Sequence, residues 1–297
     1  MKRGHWQILL AAALFLLALG LTLYPVVSNW YIGRHQSRIQ TEYREVLEQT
    51  DSAEIESIRK RAVAYNKTIT PGAAEEAYSQ KSIRLAAEDY VNQLNVSGSG
   101  IMGYVEIPKI GVDLPIYHGT GADSLDRGTG HLLGSSLPVG GESTHTIITG
   151  HSGMASQKMF TDLEKLRERD IFYLHVLDET LAYEVREIHT VLPHDTTYLG
   201  IEPGEDLCTL VTCTPTGVNT HRLLVHGSRI PYVPTEETEA SAVLHEENTD
   251  SNWEKQYWLG VRLGLAAMAT VVLLLSVYLF FRKKKTVKKK GGRYVRK

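Results

Sequence analysis

This sequence predicts a mainly β fold: a closed antiparallel β-barrel with helices before it and a membrane-spanning helix on either side. Three observations carry the prediction. After Val96-Ser-Gly-Ser-Gly, short β-rich runs recur between Gly, Pro, Asn and Asp; the stretch from Asn29 to about Tyr90 is polar, rich in Glu, Arg and Ala and poor in strand formers; and an uncharged apolar run stands near the start of the chain, with a second near its end.

Residues 1–7 form a short basic start, and the run 8–27, from Ile8 to Val27, has no charge and is long enough to cross a bilayer. It is longer than the apolar core of a usual cleaved leader, and it is followed by no obvious small-x-small cleavage site, so it is expected to stay as an anchor. The second run, 257–281, holds Arg262 near its outer end, where the long side chain can reach the interface, with Trp253, Tyr257 and Trp258 as interfacial anchors. The tail 282–297 carries ten Lys and Arg and no acid. Basic flanks stay on the cytoplasmic side, so both termini are expected inside and the middle of the chain outside, on the cell membrane. Of the 32 Lys and Arg, two precede the first run, one lies in the second and ten follow it, which leaves 19 against all 34 acids between the runs, a net of about −15 for the middle. A basic tail against a membrane span suits anionic lipid, so membrane lipids are expected partners and nucleic acid is not.

Between the runs, 28–95 reads as an extracellular helical region, with Gln40 to Val63 as one or two helices. The barrel is expected over 96–233, from strands Met102 to Ile107, Val112 to Tyr117, Thr144 to Ile148, Ile171 to Val176, Leu181 to Val191, Leu207 to Thr212 and Leu223 to Val225, with one helical insertion, Met159 to Arg167. That length suffices for one core. The acidic stretch 234–256 reads as a flexible linker to the second run.

Two cysteines occur, Cys208 and Cys213. Five residues apart on one strand they face opposite ways, which disfavours a bond between them and leaves free thiols. The spacing matches no zinc pattern and the twelve histidines are scattered, so neither metal nor cofactor is expected.

Cys213 ends an apolar, β-branched run, Thr209-Leu-Val-Thr-Cys, and Arg222 follows nine positions later where the next strand begins. A cysteine at a strand end is often only a small buried hydrophobe. A thiol attacks as its thiolate, however, and a cation or base beside it supplies that form. His151 follows the strand Ile147-Ile-Thr-Gly, and its ring is expected at the barrel rim; on its own it would pass for one polar surface histidine among twelve.

Taken together, Thr209-Leu-Val-Thr-Cys213, Arg222 and Thr149-Gly-His151-Ser-Gly resemble the sortase family of cysteine transpeptidases over about Tyr90 to Tyr232. Met159-Phe-Thr-Asp-Leu, Met102-Gly-Tyr-Val-Glu-Ile-Pro-Lys-Ile and the C-terminal apolar run resemble its class C, pilin-polymerising branch. The resemblance implies a sortase-type barrel in which Cys213 is the nucleophile, His151 the acid and base, and Arg222 the group that holds a peptide carbonyl and its oxyanion. Thr212 is expected to shape the oxyanion pocket, and His131 and His221 to line the site or to be structural. The implied substrates are pilin or surface proteins with a Leu-Pro-x-Thr-Gly-type signal, cleaved between Thr and Gly; the acceptor is a pilin lysine. Three rival readings are attachment of single proteins to a peptidoglycan amine, an ordinary cysteine peptidase, and a non-catalytic membrane scaffold. One departure stands out: class C members often carry an Asp-Pro-aromatic lid over the cysteine, and between Tyr65 and Leu94 this chain has Thr70-Pro-Gly-Ala-Ala instead. The lid is therefore expected to be absent or differently anchored, and the groove more open.

Overall fold

The computed structural model describes residues 2–70, 72–74, 87–154, 157–234, 258–273 and 276–277. The chain divides into two compact units, 1–30 with 254–297, and 31–253. The acidic linker beyond residue 234 and the basic tail expected from the sequence lie outside the described residues.

In the first unit, helix α1 (Lys2–Gln49) begins and takes in the first apolar run, while a second helical stretch runs over 258–273. They meet at Gly264, where an added Cβ would lie 2.7 Å from Thr22 Oγ1. Among the described residues no helix is long and apolar enough to cross a membrane. The side chains of 8–11, 21 and 25–26, together with residues 274–275 and 278–281, belong to the two runs and fall outside that description.

The second unit is an eight-stranded closed barrel in the order β1-β2-β3-β4-β7-β8-β6-β5. Its strands are β1 (Ile101–Ile107), β2 (Val112–His118), β3 (Thr129–His131), β4 (Thr144–Thr149), β5 (Ile171–Val176), β6 (Glu179–Val191), β7 (Asp206–Thr214) and β8 (His221–Ile230). All seven expected runs are strands; β3, three residues long with Gly130 at its centre, gave no alternation to read. The barrel is not wholly antiparallel as expected, because β2 pairs with β3, and β4 with β7, in parallel. After β4 the chain builds β5 and β6 on the far side and returns beside β4 in the same direction, a connection no tight turn can make.

The expected helix Met159 to Arg167 is also corrected. Only a 3₁₀ turn forms there, Leu163–Lys165, and Asp162 before it makes no side-chain cap. Met159 has φ +44°, while Phe160, Leu163 and Leu166 are fully buried in the core. Burying three large side chains from one short segment outweighs the small per-residue preference for helix.

The helical region is a cap bonded to this barrel. Helix α2 (Ser52–Asn66) starts on Asp51, whose side chain accepts from Ala53 N, and its Ile55, Ile58 and Ala62 join the core with Met102, Val105, Leu174 and Val176. Asn66 closes a two-bond ring with Leu137, donating to its carbonyl at 3.2 Å and accepting from its N–H at 2.7 Å. Near the end of α1, the buried Tyr43 hydroxyl donates to Met102 O and accepts from Leu177 N, both at 3.1 Å.

His131 belongs to this scaffold and not to a substrate surface. It is fully buried; Nδ1 lies 2.9 Å from the Tyr90 hydroxyl, and Nε2 lies 2.9 Å from Ser136 O and 3.1 Å from Ser135 Oγ. Burial holds its pKa down to about 4, with the bond to Ser136 opposing.

Two predictions follow from this packing. Gly227 lies under the stacked rings of Phe172 and Tyr183, and an added Cβ would stand 2.6 Å from Phe172 Cε1; Gly227→Ala should cost about 1–3 kcal/mol in urea unfolding. For His131 the unfolded chain takes a proton near pH 6.5 and the folded chain near 4. Stability from its neutral form is therefore full above pH 6.5 and falls as pH drops toward 4, by on the order of 3 kcal/mol in all. Urea titrations across that window should show the loss, and His131→Gln should flatten the slope.

Candidate active site

Strand β7 is the spine of the site. It runs antiparallel to β8 with Cys213 directly opposite Arg222, so the backbone ladder sets the two residues side by side on one face of the sheet. On its other edge β7 runs parallel to β4 with Thr149 opposite Val211. Two bonds then clamp the residue after β4: Gly150 N donates to Val211 O at 3.0 Å, and the Thr212 hydroxyl donates to Gly150 O at 2.7 Å. His151 comes next and leaves the sheet level with Cys213.

Thr212 is 3 % exposed and on the opposite face of β7 from Cys213. Its side chain therefore fixes the turn before His151 and does not line an oxyanion pocket as the sequence suggested. Gly150 is required there, since a Cβ would stand 2.7 Å from Phe160 Cδ2. Phe160 N donates to His151 O at 3.0 Å, so the segment folded back from Met159 braces the histidine from behind.

Cys213 is half-buried and Cys208 buried, and both are free thiols, as the strand spacing implied. Burial pushes the Cys208 thiol well up, which leaves it inert. His151 is half-exposed, with Nε2 3.7 Å from Asp126 Oδ1. Arg222 spends Nη1 on the carbonyls of Asn219 at 3.3 Å and His221 at 3.0 Å, which orients the guanidinium plane. His221 itself turns to Thr220 Oγ1, 2.9 Å from its Nδ1. The loops bearing the three residues are tied by Ser152 Oγ and Thr216 Oγ1 at 3.0 Å. Asp126 and this Ser152–Thr216 link carried no sequence signal, since each reaches the site through tertiary folding from a distant segment.

Of the region where the lid motif is missing, residues 72–74 pack beside strand β7. Ala74 is buried in one cluster with Val211, Leu224, Ile147 and Leu132, and an added Cβ on Gly134 would stand 2.6 Å from Ala73 O. Ala74 thus packs on the sheet face in the row of Val211 and Leu224, and the Ala73 carbonyl lies against Gly134. Residue 71 and residues 75–86, the rest of the expected lid region, lie outside the described residues.

A thiol beside a fixed cation with a histidine level with it suits acyl transfer through a thioester. Among the described residues no group of three or more His, Cys, Asp or Glu side chains is placed to hold a metal ion. The Sortase domain family model matches residues 105–230. The chain is similar to the solved sortase C of Streptococcus pneumoniae, at 46 % identity and TM-score 0.59, covering 66 % of this chain and 97 % of that one. It is similar to sortase C1 of Streptococcus agalactiae, at 43 % identity and TM-score 0.61, covering 66 % of this chain and all of that one. A curated relative, sortase A of Streptococcus agalactiae serotype III (strain NEM316), is 26 % identical over 187 residues, 61 % of this chain and 73 % of the relative. With the barrel, the strand register and these similarities in agreement, the chain belongs to the sortase family of cysteine transpeptidases, and the two solved structures named above are sortases C.

Proposed function

We propose that this sortase cleaves a Leu-Pro-x-Thr-Gly-type signal between Thr and Gly and transfers the acyl group to a lysine amine of a pilin subunit. The observation that supports it most is the register of β7: Cys213 opposite Arg222 on one side, and Gly150, next to His151, bonded to the strand on the other. The Streptococcus pneumoniae relative, 46 % identical, is described with pilin substrate specificity, which favours a pilin over a lone surface protein. The two apolar runs and their basic flanks support anchoring in the cell membrane with the barrel outside.

The Cys213 thiolate attacks the Thr carbonyl carbon, and the oxyanion is held by the guanidinium N–H groups of Arg222 on its Nε and Nη2. The C–N bond to Gly breaks as protonated His151 gives its proton to the departing amine, leaving a thioester on Cys213. The lysine amine then attacks the thioester carbonyl, passes a proton to His151 and expels the thiolate. An isopeptide bond forms and the enzyme is restored. Asp126 Oδ1 stands 3.7 Å from His151 Nε2, within reach of a proton on that nitrogen.

Incubating the full chain in detergent micelles with a Leu-Pro-x-Thr-Gly peptide and a pilin-like lysine peptide should give an acyl adduct on Cys213, then an isopeptide-linked product, both visible by mass spectrometry. Cys213→Ala should give neither. A thioester that resolves only on a peptidoglycan amine would move the reading to single-protein anchoring; no adduct on any sorting signal would sink it. Thr212→Val should lower kcat on the order of 10-fold with little change in KM, because it frees the turn that aims His151 without touching the peptide site. Steady-state kinetics check this, and an unchanged kcat would contradict the role given to Thr212.

A further inference from the structure

On the same face of the sheet as Cys213, toward the other end of β7, the loop 192–205 and strands β6 and β8 enclose a cleft of about 150 Å³. It is lined in part by Glu187, Thr197, Tyr198, Gly200, Glu202 and His226. At roughly 30 Å³ per water molecule this is room for a side-chain end and not for a whole peptide.

The hydrogen bonds behind the cleft fix where its protons lie. His145 Nδ1 is 2.7 Å from Gly200 O, and a carbonyl only accepts, so Nδ1 carries a hydrogen. The ring is 2 % exposed, and such burial disfavours its charged form; in the neutral ring Nε2 accepts, and it lies 2.6 Å from Thr209 Oγ1, whose one proton it takes. Thr209 Oγ1 must then accept from His226 Nδ1, 2.7 Å away. The chain ends on His226 Nε2 as a bare lone pair. His226 is 3 % exposed, and its Nε2 is buried with no hydrogen-bond partner. Burial, followed by the neighbouring His145, holds its pKa down to about 4, consistent with a neutral ring.

The charges around that lone pair are uneven. Glu187 and Glu202 share one cation, Arg186, at 3.0 and 2.8 Å. Two carboxylates against one guanidinium leave one carboxylate charge unmatched among these three groups. The Tyr198 ring lies stacked on His189 at 3.9 Å, and His189 Nε2 is 3.0 Å from Glu187 Oε2. An unmet acceptor, one unmatched carboxylate charge and an aromatic ring call for a small monovalent cation bearing N–H donors.

We propose that this cleft is a second binding site, separate from Cys213, for a primary ammonium group such as the end of a lysine side chain, with His226 Nε2 and Glu187 accepting its hydrogens beside the Tyr198 ring. Thr209 precedes Cys213 by four residues on β7, about 13 Å at about 3.3 Å per residue. A bound amine there is too far to attack a thioester. Its role is to anchor a substrate by a basic residue, and that role, unlike the binding itself, rests on the transpeptidase reading.

The test uses the full chain in detergent micelles at pH 8 with Cys213→Ala, so that binding is read whether or not the chemistry occurs. Calorimetric titration with Nα-acetyl-lysine methylamide should give saturable binding, and the norleucine analogue none. Glu187→Gln and His226→Phe should each weaken the lysine probe about 10-fold or more, and the probe should shift the imidazole ¹⁵N resonance of His226 Nε2. Two peptides then assign the source: a sorting signal with lysine before its leucine, and a pilin-like lysine acceptor. The one weakened by Glu187→Gln is the natural occupant. Equal binding of both probes, binding of neither, or insensitivity of lysine binding to Glu187→Gln with no ¹⁵N shift would overturn the proposal and leave the cleft to water.

Discussion

Backbone hydrogen bonding along β7 is the constraint on which the rest of this molecule depends. The strand has one antiparallel and one parallel neighbour, and each delivers a different piece of chemistry to its end: Arg222 by direct pairing with Cys213, and His151 through a turn bonded to residues 211 and 212. Neither side chain is aimed by its own contacts alone. A slip of one residue in either ladder would send the affected side chain to the other face of the sheet, so the site is as stable as the pairing beneath it.

The same face carries a gradient along β7. At its end stand Cys213 and Arg222; behind them Val211 and Leu224 are covered by Leu199 and Ala74; behind those Thr209 and His226 sit in a buried polar chain. Alternation with period two writes all three rows from one strand pair, while the intervening residues Leu210 and Val225 fill the barrel core. The Cys213–Arg222 row, the apolar floor and the polar cleft are thus three rows of one register. The cap helices hold the opposite side of the barrel through a few buried polar ties, Tyr43 among them, which fix position more sharply than apolar contact does.

The sequence was legible where local periodicity and side-chain chemistry agree. Alternation at Thr209 to Cys213 gave the strand, and the thiol and arginine at its ends gave the pair. What it hid has physical reasons. The parallel pairing of β4 with β7 depends on where the chain goes in between, which no local pattern records. Met159 to Arg167 has a helical composition, yet three buried side chains pull it into turns. Thr212 and His131 are polar residues near the motif, and only burial distinguishes a residue that braces the site from one that touches substrate. Asp126 stands opposite His151 through folding alone. Ala74 packs on the face beside β7 with no motif to announce it, since a small apolar side chain fits a flat sheet from any sequence.

The proposed chemistry depends on Cys213, at the end of β7, being the thiol that reacts. The most direct measurement is the rate of iodoacetamide alkylation at each cysteine of the native chain across pH 5 to 9, followed by peptide mass mapping. The account predicts that Cys213 reacts while Cys208 stays protected until the protein unfolds, and that His151→Ala slows the reaction at neutral pH. Equal reactivity of the two thiols, or a Cys213 rate indifferent to His151, would contradict it.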